Sequence, residues 1–342
     1  MKKYEAGDIR TVALIGHGKS GKTSLAEAML YDANATTRLG KGDDETSNLD
    51  TEPEEVARKS SMQLGLGFCE WNKVKINFID SPGDSMFLAD AQLALAAVDA
   101  VVCVVSAPDG VQVNTERTWQ AAIDRGLPGA IFINKLDRER ADFDKALEEV
   151  REVLSKKAVA LQMPIGKEGS FSGVVDLLKL RAYTFDDDGR KVTEGDVPAD
   201  LQEEAASKRE ALIEGIAESD DELLEKYFDS GELSEDEIRA GLAAGVLKGT
   251  FVPVLCGSGT RNIGARPLLD RIANNFPSPL AREKVEGLDG KTRETKPDAP
   301  LSAFVFKTIG TDVGRVALMR IMSGTMSSDG SLVNVSRNGK ER

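Results

Sequence analysis

The chain has 342 residues, of which 41% are hydrophobic and 30% are charged, and its formal net charge is −13. This length predicts two or three domains, and the composition is that of a globular protein rather than a disordered one. The acidic balance argues against nucleic-acid binding through the whole surface, so we expect no direct sequence-specific contact with nucleic acid from this segment.

The N-terminus and the cysteines predict the cellular location of the protein. The opening MKKYEAGDIR lacks an apolar core, and no apolar stretch reaches the roughly 18 residues that a membrane span needs. We therefore expect a cytoplasmic protein with no membrane partner. Cys69, Cys103 and Cys256 each lie in an apolar, strand-like run, which predicts reduced core residues rather than a disulfide framework or a metal site.

The first motif in the chain is GHGKSGKT, which follows the apolar run VALI and precedes a helical pattern from about Thr23. Its Gly-x4-Gly-Lys-Thr spacing is typical of a phosphate-binding loop, in which backbone N–H groups and a helix N-terminus surround the phosphates. A glycine-rich surface turn would not require the flanking strand and helix. Lys22 is expected to reach the outer phosphates and Thr23 to bind Mg²⁺. The predicted nucleotide-binding residues here are Gly16, His17, Gly18, Lys19, Ser20, Gly21, Lys22, Thr23 and Ser24.

Apolar runs and helical patterns then alternate along the first 160 or so residues. This alternation predicts an α/β fold with a mostly parallel sheet and helices on both faces. Strands are expected at 11–15, 64–71, 74–79, 100–105 and 130–133, and helices from about 23 and at about 85–97, 115–124 and 143–154. Functional loops should lie at the carboxyl ends of the parallel strands.

Three further motifs follow predicted strands and complete a nucleotide site. In DSPG, Asp80 is expected to hold Mg²⁺ through water and the Gly83 N–H to meet the γ-phosphate, with Pro82 beside the nucleotide. In NKLD, the Asp137 carboxylate can accept two hydrogen bonds from guanine, a donor pair that adenine does not present. Asn134 would brace the loop and reach the base, and the Lys135 stem would lie along the ring.

The last motif, CGSG, ends the final strand of the sheet domain, near 251–255. Backbone N–H groups of Ser258 and Gly259 are expected to bind the guanine O6. Asp137 taken alone could simply cap a helix. In combination with the phosphate loop and in this order, the four motifs predict a P-loop GTPase domain that binds GTP or GDP.

The second half of the chain interrupts the alternation. Short strands near 161–185 and three helical stretches within 199–247 predict an α+β subdomain of about 159–250 inserted in a GTP-binding domain of 1–280. A helix at 265–275 is followed by a polar, proline-bracketed linker at 281–300. Residues 301–342 are expected to begin a β-barrel domain, and their few strands indicate the front of a longer protein. A truncated product or a small open sheet are the alternatives.

The motifs together resemble the translational GTPases, and the elongation factor G family in particular. The resemblance covers essentially the whole chain, from GHGKSGKT, INFIDSPGD and INKLDRERADF to PVLCGSG and PLSAFVFKT. It implies the N-terminal GTPase domain and the start of domain II of a factor that hydrolyses GTP to GDP and phosphate on the ribosome. It also implies that the acidic insertion meets the ribosomal stalk protein.

Departures from the family pattern concern catalysis. Where the family has Gly-Ile-Thr in its first switch segment, this chain has Lys-Ser-Ser, so the magnesium-binding hydroxyl passes to Ser61, and Lys19 replaces an aspartate. Asp84 replaces the histidine that orients the attacking water, which points to a divergent paralogue with slow intrinsic hydrolysis. The expected catalytic residues are Asp84, Lys22 and Gly83. A GTP-binding switch with negligible hydrolysis and a ribosome-protection protein remain as alternatives.

Overall fold

The computed structural model describes residues 2–186, 188–287, 290–311 and 314–341. Its largest element is a seven-stranded sheet, which confirms the predicted α/β class. Its strands are β1 Ile9–Ile15, β2 Gly65–Trp71, β3 Val74–Asp80, β4 Ala100–Ser106, β5 Gly129–Asn134, β6 Ala158–Ala160 and β11 Val252–Cys256. The spatial order is β2-β3-β1-β4-β5-β11-β6, and only the β2–β3 pairing is antiparallel among these described strands.

The centre of this sheet forms the main hydrophobic core. Every residue of β4 and β5 is buried, as expected for parallel strands covered on both faces. The helices that follow the strands are α1 Lys22–Asp32, α2 Pro53–Arg58, α3 Leu88–Ala96, α4 Val113–Ile123, α5 Phe143–Glu149 and α9 Ala265–Asn275. The sequence analysis did not predict α2, although proline at its first position and a reciprocal Glu52–Glu55 cap mark its start.

A second, antiparallel sheet lies between β6 and β11 in the chain. Its strands, in the spatial order β10-β9-β8-β7, are β7 Gln162–Ile165, β8 Gly173–Asp176, β9 Arg181–Phe185 and β10 Val192–Asp196. Three helices follow it: α6 Gln202–Ala217, α7 Asp221–Ser230 and α8 Glu235–Lys248. Strand β6, where the insertion was expected to begin, belongs to the large sheet because Ala158 and Ala160 pair with β11.

The C-terminal part is built from antiparallel hairpins. The expected linker at 281–300 contains one of them, formed by β12 Lys284–Glu286 and β13 Thr292–Glu294, so it is not simply extended. The others are β14 Ser302–Thr311 with β15 Gly314–Ser323, and β16 Leu332–Asn334 with β17 Gly339–Glu341. Arg342, the last residue of the expected barrel domain, lies outside the described residues.

The cysteines are core residues, as predicted. Cys69, Cys103 and Cys256 are buried and free. Burial raises the pKa of the Cys69 and Cys103 thiols to about 12, so both stay protonated and unreactive. None of the described helices is long and apolar enough to cross a membrane.

Candidate nucleotide-binding site

The phosphate loop joins β1 to α1 in a conformation that depends on its glycines. Gly16 and Gly21 have φ values of 135° and 93°. A Cβ atom on Gly16 would lie 2.5 Å from the Val104 carbonyl oxygen, and one on Gly21 would lie 2.3 Å from the Asn134 amide nitrogen. Neither position has room for a side chain, and both φ values are ones that glycine adopts readily. Glycine at these two positions therefore lets the backbone turn tightly at the N-terminus of α1, where anions bind.

Lys22 is a buried cation at the start of α1. Its Nζ donates to the carbonyl oxygens of His17, at 2.8 Å, and Gly16, at 3.2 Å. Burial lowers the pKa of Lys22, and the nearby Asp80 carboxylate opposes that shift. The ammonium group is thus held within the phosphate loop, and its expected contact with the outer phosphates stays a prediction.

The three predicted magnesium-binding residues lie together. The Thr23 hydroxyl donates to Asp80 Oδ2 at 2.6 Å and lies 3.0 Å from the Ser61 hydroxyl. Asp80 Oδ1 is buried and has no hydrogen-bond partner within the described part of the chain. Burial raises the pKa of Asp80 to about 7, against the opposing effects of Lys22 and Thr23. Hydroxyl and carboxylate oxygens of this kind fit Mg²⁺, which prefers hard oxygen ligands.

Two buried carboxylates organise the segment that carries Ser61, and the sequence analysis found neither of them. Glu27 of α1 accepts hydrogen bonds from the Ser47 hydroxyl and from the backbone and side chain of Asn48. Glu55 of α2 accepts from the backbone N–H groups of Met62 and Gln63. Such contacts join residues distant in sequence, and neither periodicity nor a local motif signals them.

Asn134 connects the two ends of the site. Its Nδ2 donates to the backbone oxygens of Ser20, at 3.0 Å, and Gly21, at 3.3 Å, and its Oδ1 accepts from the Gly259 N–H at 2.9 Å. One buried side chain therefore braces the phosphate loop against the CGSG segment, and its expected contact with the base stays a prediction. Lys135, the next residue, has a left-handed φ of 65°. Burial lowers its pKa.

Asp137 supplies an acceptor that the protein itself leaves unused. Its side chain is 11% exposed, and its Oδ2 lies 3.6 Å from Arg138 Nε. Its Oδ1 is buried without a hydrogen-bond partner among the described residues. Its neighbours Lys135 and Arg138 line the cleft, although Asp137 itself does not among the described residues. Since buried polar atoms are nearly always paired in folded proteins, an orphaned carboxylate oxygen one residue from the cleft wall indicates a ligand donor.

The CGSG segment departs from its predicted geometry. The Ser258 N–H donates to the Ile263 carbonyl oxygen at 2.9 Å, and the Gly259 N–H donates to Asn134. Both amides that were expected to bind the base thus make internal hydrogen bonds. Thr260, which the sequence analysis did not single out, lines the cleft instead.

The loop after β3 packs directly on the phosphate loop. A Cβ atom on Gly83 would lie 2.4 Å from Lys22 Nζ and 2.5 Å from the Gly18 nitrogen, so only glycine fits there. Pro82 beside it is buried. The Gly83 carbonyl oxygen accepts from the buried Asn114 amide at 3.0 Å. This contact from α4 fixes the orientation of the Gly83 peptide.

Asp84 does not line the cleft in the described part of the chain. The residue is exposed, and its carboxylate accepts from the Met86 N–H at 2.9 Å, which caps the short 3-10 turn Ser85–Phe87. His17, the only histidine in the sequence, donates its backbone N–H to the Thr115 hydroxyl at 3.2 Å. Burial and then Lys22 lower the pKa of its imidazole.

These loops surround a cleft of about 570 Å³. Asn134, Asp80 and Ser258 are buried behind its wall. Predicted residues that line it are Gly18, Lys19, Gly21, Lys22, Thr23, Ser24, Ser61, Gly83 and Lys135, and residues that the sequence analysis missed include Glu27, Asp50, Arg138 and Thr260.

A phosphate loop, an aspartate-ended strand and an Asn-Lys-x-Asp loop at the carboxyl ends of β1, β3 and β5 in a mostly parallel sheet define a GTP-binding domain of the P-loop class. Comparison with known proteins agrees: the family described as the elongation factor Tu GTP binding domain matches residues 7–278. The chain belongs to this family and is a GTPase of the translation-factor class.

A solved structure extends the similarity beyond that domain. A crystal structure of a protein from Thermus thermophilus is similar to 98% of this chain, with 33% sequence identity and a TM-score of 0.87. The match covers 48% of the Thermus chain, so the present chain spans about half of its length. The resemblance therefore includes the C-terminal hairpins as well as the large sheet.

Proposed function

We propose that the chain binds GTP and GDP with Mg²⁺ and acts as a translation factor similar to elongation factor G, hydrolysing GTP to GDP and phosphate on the ribosome. The observation that carries this proposal is the unpaired, buried Oδ1 of Asp137, held near the phosphate loop through the Asn134 brace. A carboxylate so placed accepts from the N1–H and amino group of guanine and finds no such pair on adenine.

The remaining residues would bind the phosphates and Mg²⁺. Lys22 and the backbone N–H groups of the phosphate loop would hold the phosphates, and Gly83 would sense the γ-phosphate. Thr23, Ser61 and Asp80 would hold Mg²⁺, which supplies charge neutralisation on the phosphate oxygens. Catalysis by such a site rests on positioning and electrostatics rather than covalent chemistry.

The ribosomal role rests on the family and on the charge of the insertion. Helices α6 to α8 each carry acidic residues in their first turn. An acidic surface suits a basic face on a partner and would speed association. We propose the ribosomal stalk protein as that partner and the cytoplasm as the location, with no membrane partner and no sequence-specific nucleic-acid contact by this segment.

One observation favours a second candidate function, a GTP-binding switch with negligible hydrolysis. The Asp84 carboxylate caps its own turn and does not face the cleft. The resemblance assigns the water-orienting group to this position. Here the position carries a carboxylate that accepts from the Met86 N–H instead. A switch would act only through the different affinities of its GTP and GDP states for a partner.

The test of the nucleotide assignment is Asp137→Asn. We expect the variant to lose GTP affinity by about 10³-fold or more, because a site built around paired polar contacts rejects a ligand that leaves them unpaired. Its new amide can donate to the 2-oxo group of xanthine, so XTP binding should rise. Competition titrations against a fluorescent GDP analogue measure both changes.

Asp142→Asn is the matched control for that variant. Asp142 caps α5 by accepting from the Lys145 N–H, and asparagine caps helices equally well. This variant should keep the GTP affinity and base preference of the unaltered chain. Unchanged GTP selectivity in Asp137→Asn would refute the assignment.

A further inference from the structure

The loop of residues 258–263, here called the base loop, lines the cleft on one side and contacts the insertion on the other. Ser258 and Ile263 close it through reciprocal backbone hydrogen bonds of 2.9 Å. On one side Thr260 lines the cleft. On the other side Arg261 and Asn262 contact two turns of the inserted sheet, the one before β8 and the one between β9 and β10. The residues that contact these turns are therefore only one or two positions along the chain from Thr260, which lines the cleft.

Three side chains in and just after the base loop donate to backbone oxygens in the turns that connect the strands of the inserted sheet. Arg261 Nη1 donates to Phe171 O at 2.7 Å, and Arg266 Nη2 of α9 donates to Arg190 O at 2.8 Å. Asn262 Nδ2 donates to Gly189 O at 3.1 Å. Two of these bonds carry a full positive charge on the donor, which makes them stronger than neutral ones.

Asn262 also ties the base loop to the helix of the phosphate loop. The residue is fully buried and has a left-handed φ of 54°. Its Nδ2 donates to Asp32 Oδ1, at 2.9 Å, as well as to Gly189 O. Asp32 is the last residue of α1, whose first turn carries Lys22 and Thr23. A single amide therefore joins the inserted sheet, the base loop and α1.

Gly189 packs against the base loop too closely for any side chain. Its φ is 65°, and a Cβ atom there would lie 2.3 Å from Arg261 O and 2.6 Å from Asn262 Cβ. Both of those atoms belong to the base loop, so a side chain at position 189 would have to push that loop aside.

We propose that the inserted sheet supports the base loop, with Gly189 and Asn262 as positioning residues for guanine nucleotide binding. The inference rests on the proposed function and deepens it: the insertion sets nucleotide affinity as well as offering a partner surface. A partner that displaces the turn carrying Gly189 would thereby release the base loop and speed nucleotide dissociation.

Gly189→Ala with Gly231→Ala as its control tests the proposal in the full chain. Gly231 also lies in the insertion and has a left-handed φ of 73°, but an added Cβ would meet nothing within 4 Å. Both variants carry similar backbone strain, and only the first collides with the base loop. We expect GDP to bind Gly189→Ala about tenfold or more weakly, through faster dissociation, and Gly231→Ala within about twofold of the unaltered chain.

A second pair keeps the test informative if Gly189→Ala folds poorly. Arg261→Met removes the donor to Phe171 O, and Arg209→Met removes a similar donor to Leu177 O inside the insertion. Only Arg261→Met should weaken GDP binding. Competition by tripolyphosphate, which reports the phosphate loop without a base, should be equal for both, whereas a general loosening of the fold would weaken it too.

The outcomes distinguish a role of the inserted sheet in nucleotide binding from nucleotide binding itself. Weaker GDP binding confined to Gly189→Ala and Arg261→Met would support the inference. GDP affinity equal to that of the unaltered chain in both would overturn the inference and leave the proposed function standing. Failure of the unaltered chain to bind GDP in preference to ADP would instead refute the proposed function itself.

Discussion

We propose that Asp84 sets the rate at which this domain hydrolyses GTP. An ionised carboxylate accepts hydrogen bonds from water but cannot donate one to developing charge, as an imidazolium can. At about 4 Å, two like charges repel by roughly 4 kcal/mol at an effective dielectric constant of 20, enough to slow hydrolysis about 10³-fold if the carboxylate points inward. The Met86 cap holds the carboxylate out of the cleft wall, so any approach to the nucleotide first breaks that hydrogen bond.

We therefore predict slow intrinsic hydrolysis that Asp84→His accelerates, most visibly with ribosomes present. Asp84→Asn is the control, because asparagine retains the cap on the Met86 N–H and removes only the charge. Single-turnover phosphate release measures the unaltered chain and each Asp84 variant. Fast hydrolysis in the unaltered chain that Asp84→Ala abolishes would make Asp84 the water-positioning group, and a histidine variant no faster than the unaltered chain would place the defect at Lys19 or near Ser61.

Lys22 provides a second prediction at the residue scale. Lys22→Ala removes the cation expected at the β- and γ-phosphates, so affinity for GDP and GTP should fall steeply. Lys22 Nζ donates to the His17 and Gly16 carbonyl oxygens, so in the variant both oxygens lose this donor and face a small cavity. Titration with a fluorescent GDP analogue measures the loss. Affinity equal to that of the unaltered chain would contradict a phosphate-binding role.

Among the elements, α4 aligns the two loops that should meet the γ-phosphate. Asn114 donates to the Gly83 carbonyl oxygen, and Thr115 accepts from the His17 N–H. Asn114→Ala should free the Gly83 peptide and weaken binding of a non-hydrolysable GTP analogue about tenfold, with little change for GDP. Thr118→Val is the control, since that hydroxyl donates to the helix's own carbonyls. Equal losses for both nucleotides would indicate a structural role alone.

Helix α8 gives a prediction with a pH dependence. Glu237 closes a capping box with Ser234 and pairs with Lys226 of α7, and hydrogen bonds from Lys226 and then Ser234 lower its pKa to about 2. A folded-state pKa below the unfolded value of 4.5 stabilises the fold above pH 4.5, and the stabilisation disappears as the pH falls to about 2. Glu237→Ala should therefore lower stability at pH 7 but not at pH 2, as measured by urea unfolding. A difference that persists at pH 2 would contradict the ionic contribution.

The sequence predicted those elements whose pattern is local. Runs such as VVCVV identified the buried strands, and the Gly-x4-Gly-Lys-Thr spacing placed Lys22 and Thr23 where the structure has them. The hairpin of β12 and β13 was missed because its three-residue strands alternate too briefly to register as a pattern. The hydrogen bonds of Glu27, and those of the Ser258 and Gly259 amides, depend on which loops meet in space, which no local pattern encodes.

On the scale of the whole molecule, ion pairs of Lys307 and Arg320 join the hairpin of β14 and β15 to the GTP-binding domain. Lys307 of β14 contacts Asp90 of α3 at 2.5 Å. Arg320 of β15 donates to both carboxylate oxygens of Asp99, at 2.8 and 2.6 Å, and to Ala97 O at 2.9 Å. Since α3 directly follows the turn capped by Asp84, these contacts connect the hairpin to the loop that packs on the phosphate loop.

Arg320→Met tests how much this attachment contributes. Asp99 is only 8% exposed, so removing its bidentate partner leaves a buried charge and should cost about 3–5 kcal/mol of unfolding free energy. Arg315→Met, on the exposed face of the same strand, should change stability by about 0.5 kcal/mol or less. Adding Asp99→Asn to Arg320→Met should recover part of the loss, because the uncompensated charge is then gone.

Limited proteolysis tests whether the hairpin of β14 and β15 depends on this pair. If it does, the protease should cleave the segment beyond Pro297 in Arg320→Met before it cleaves the unaltered chain. Equal cleavage rates would show that the hairpin docks without the pair.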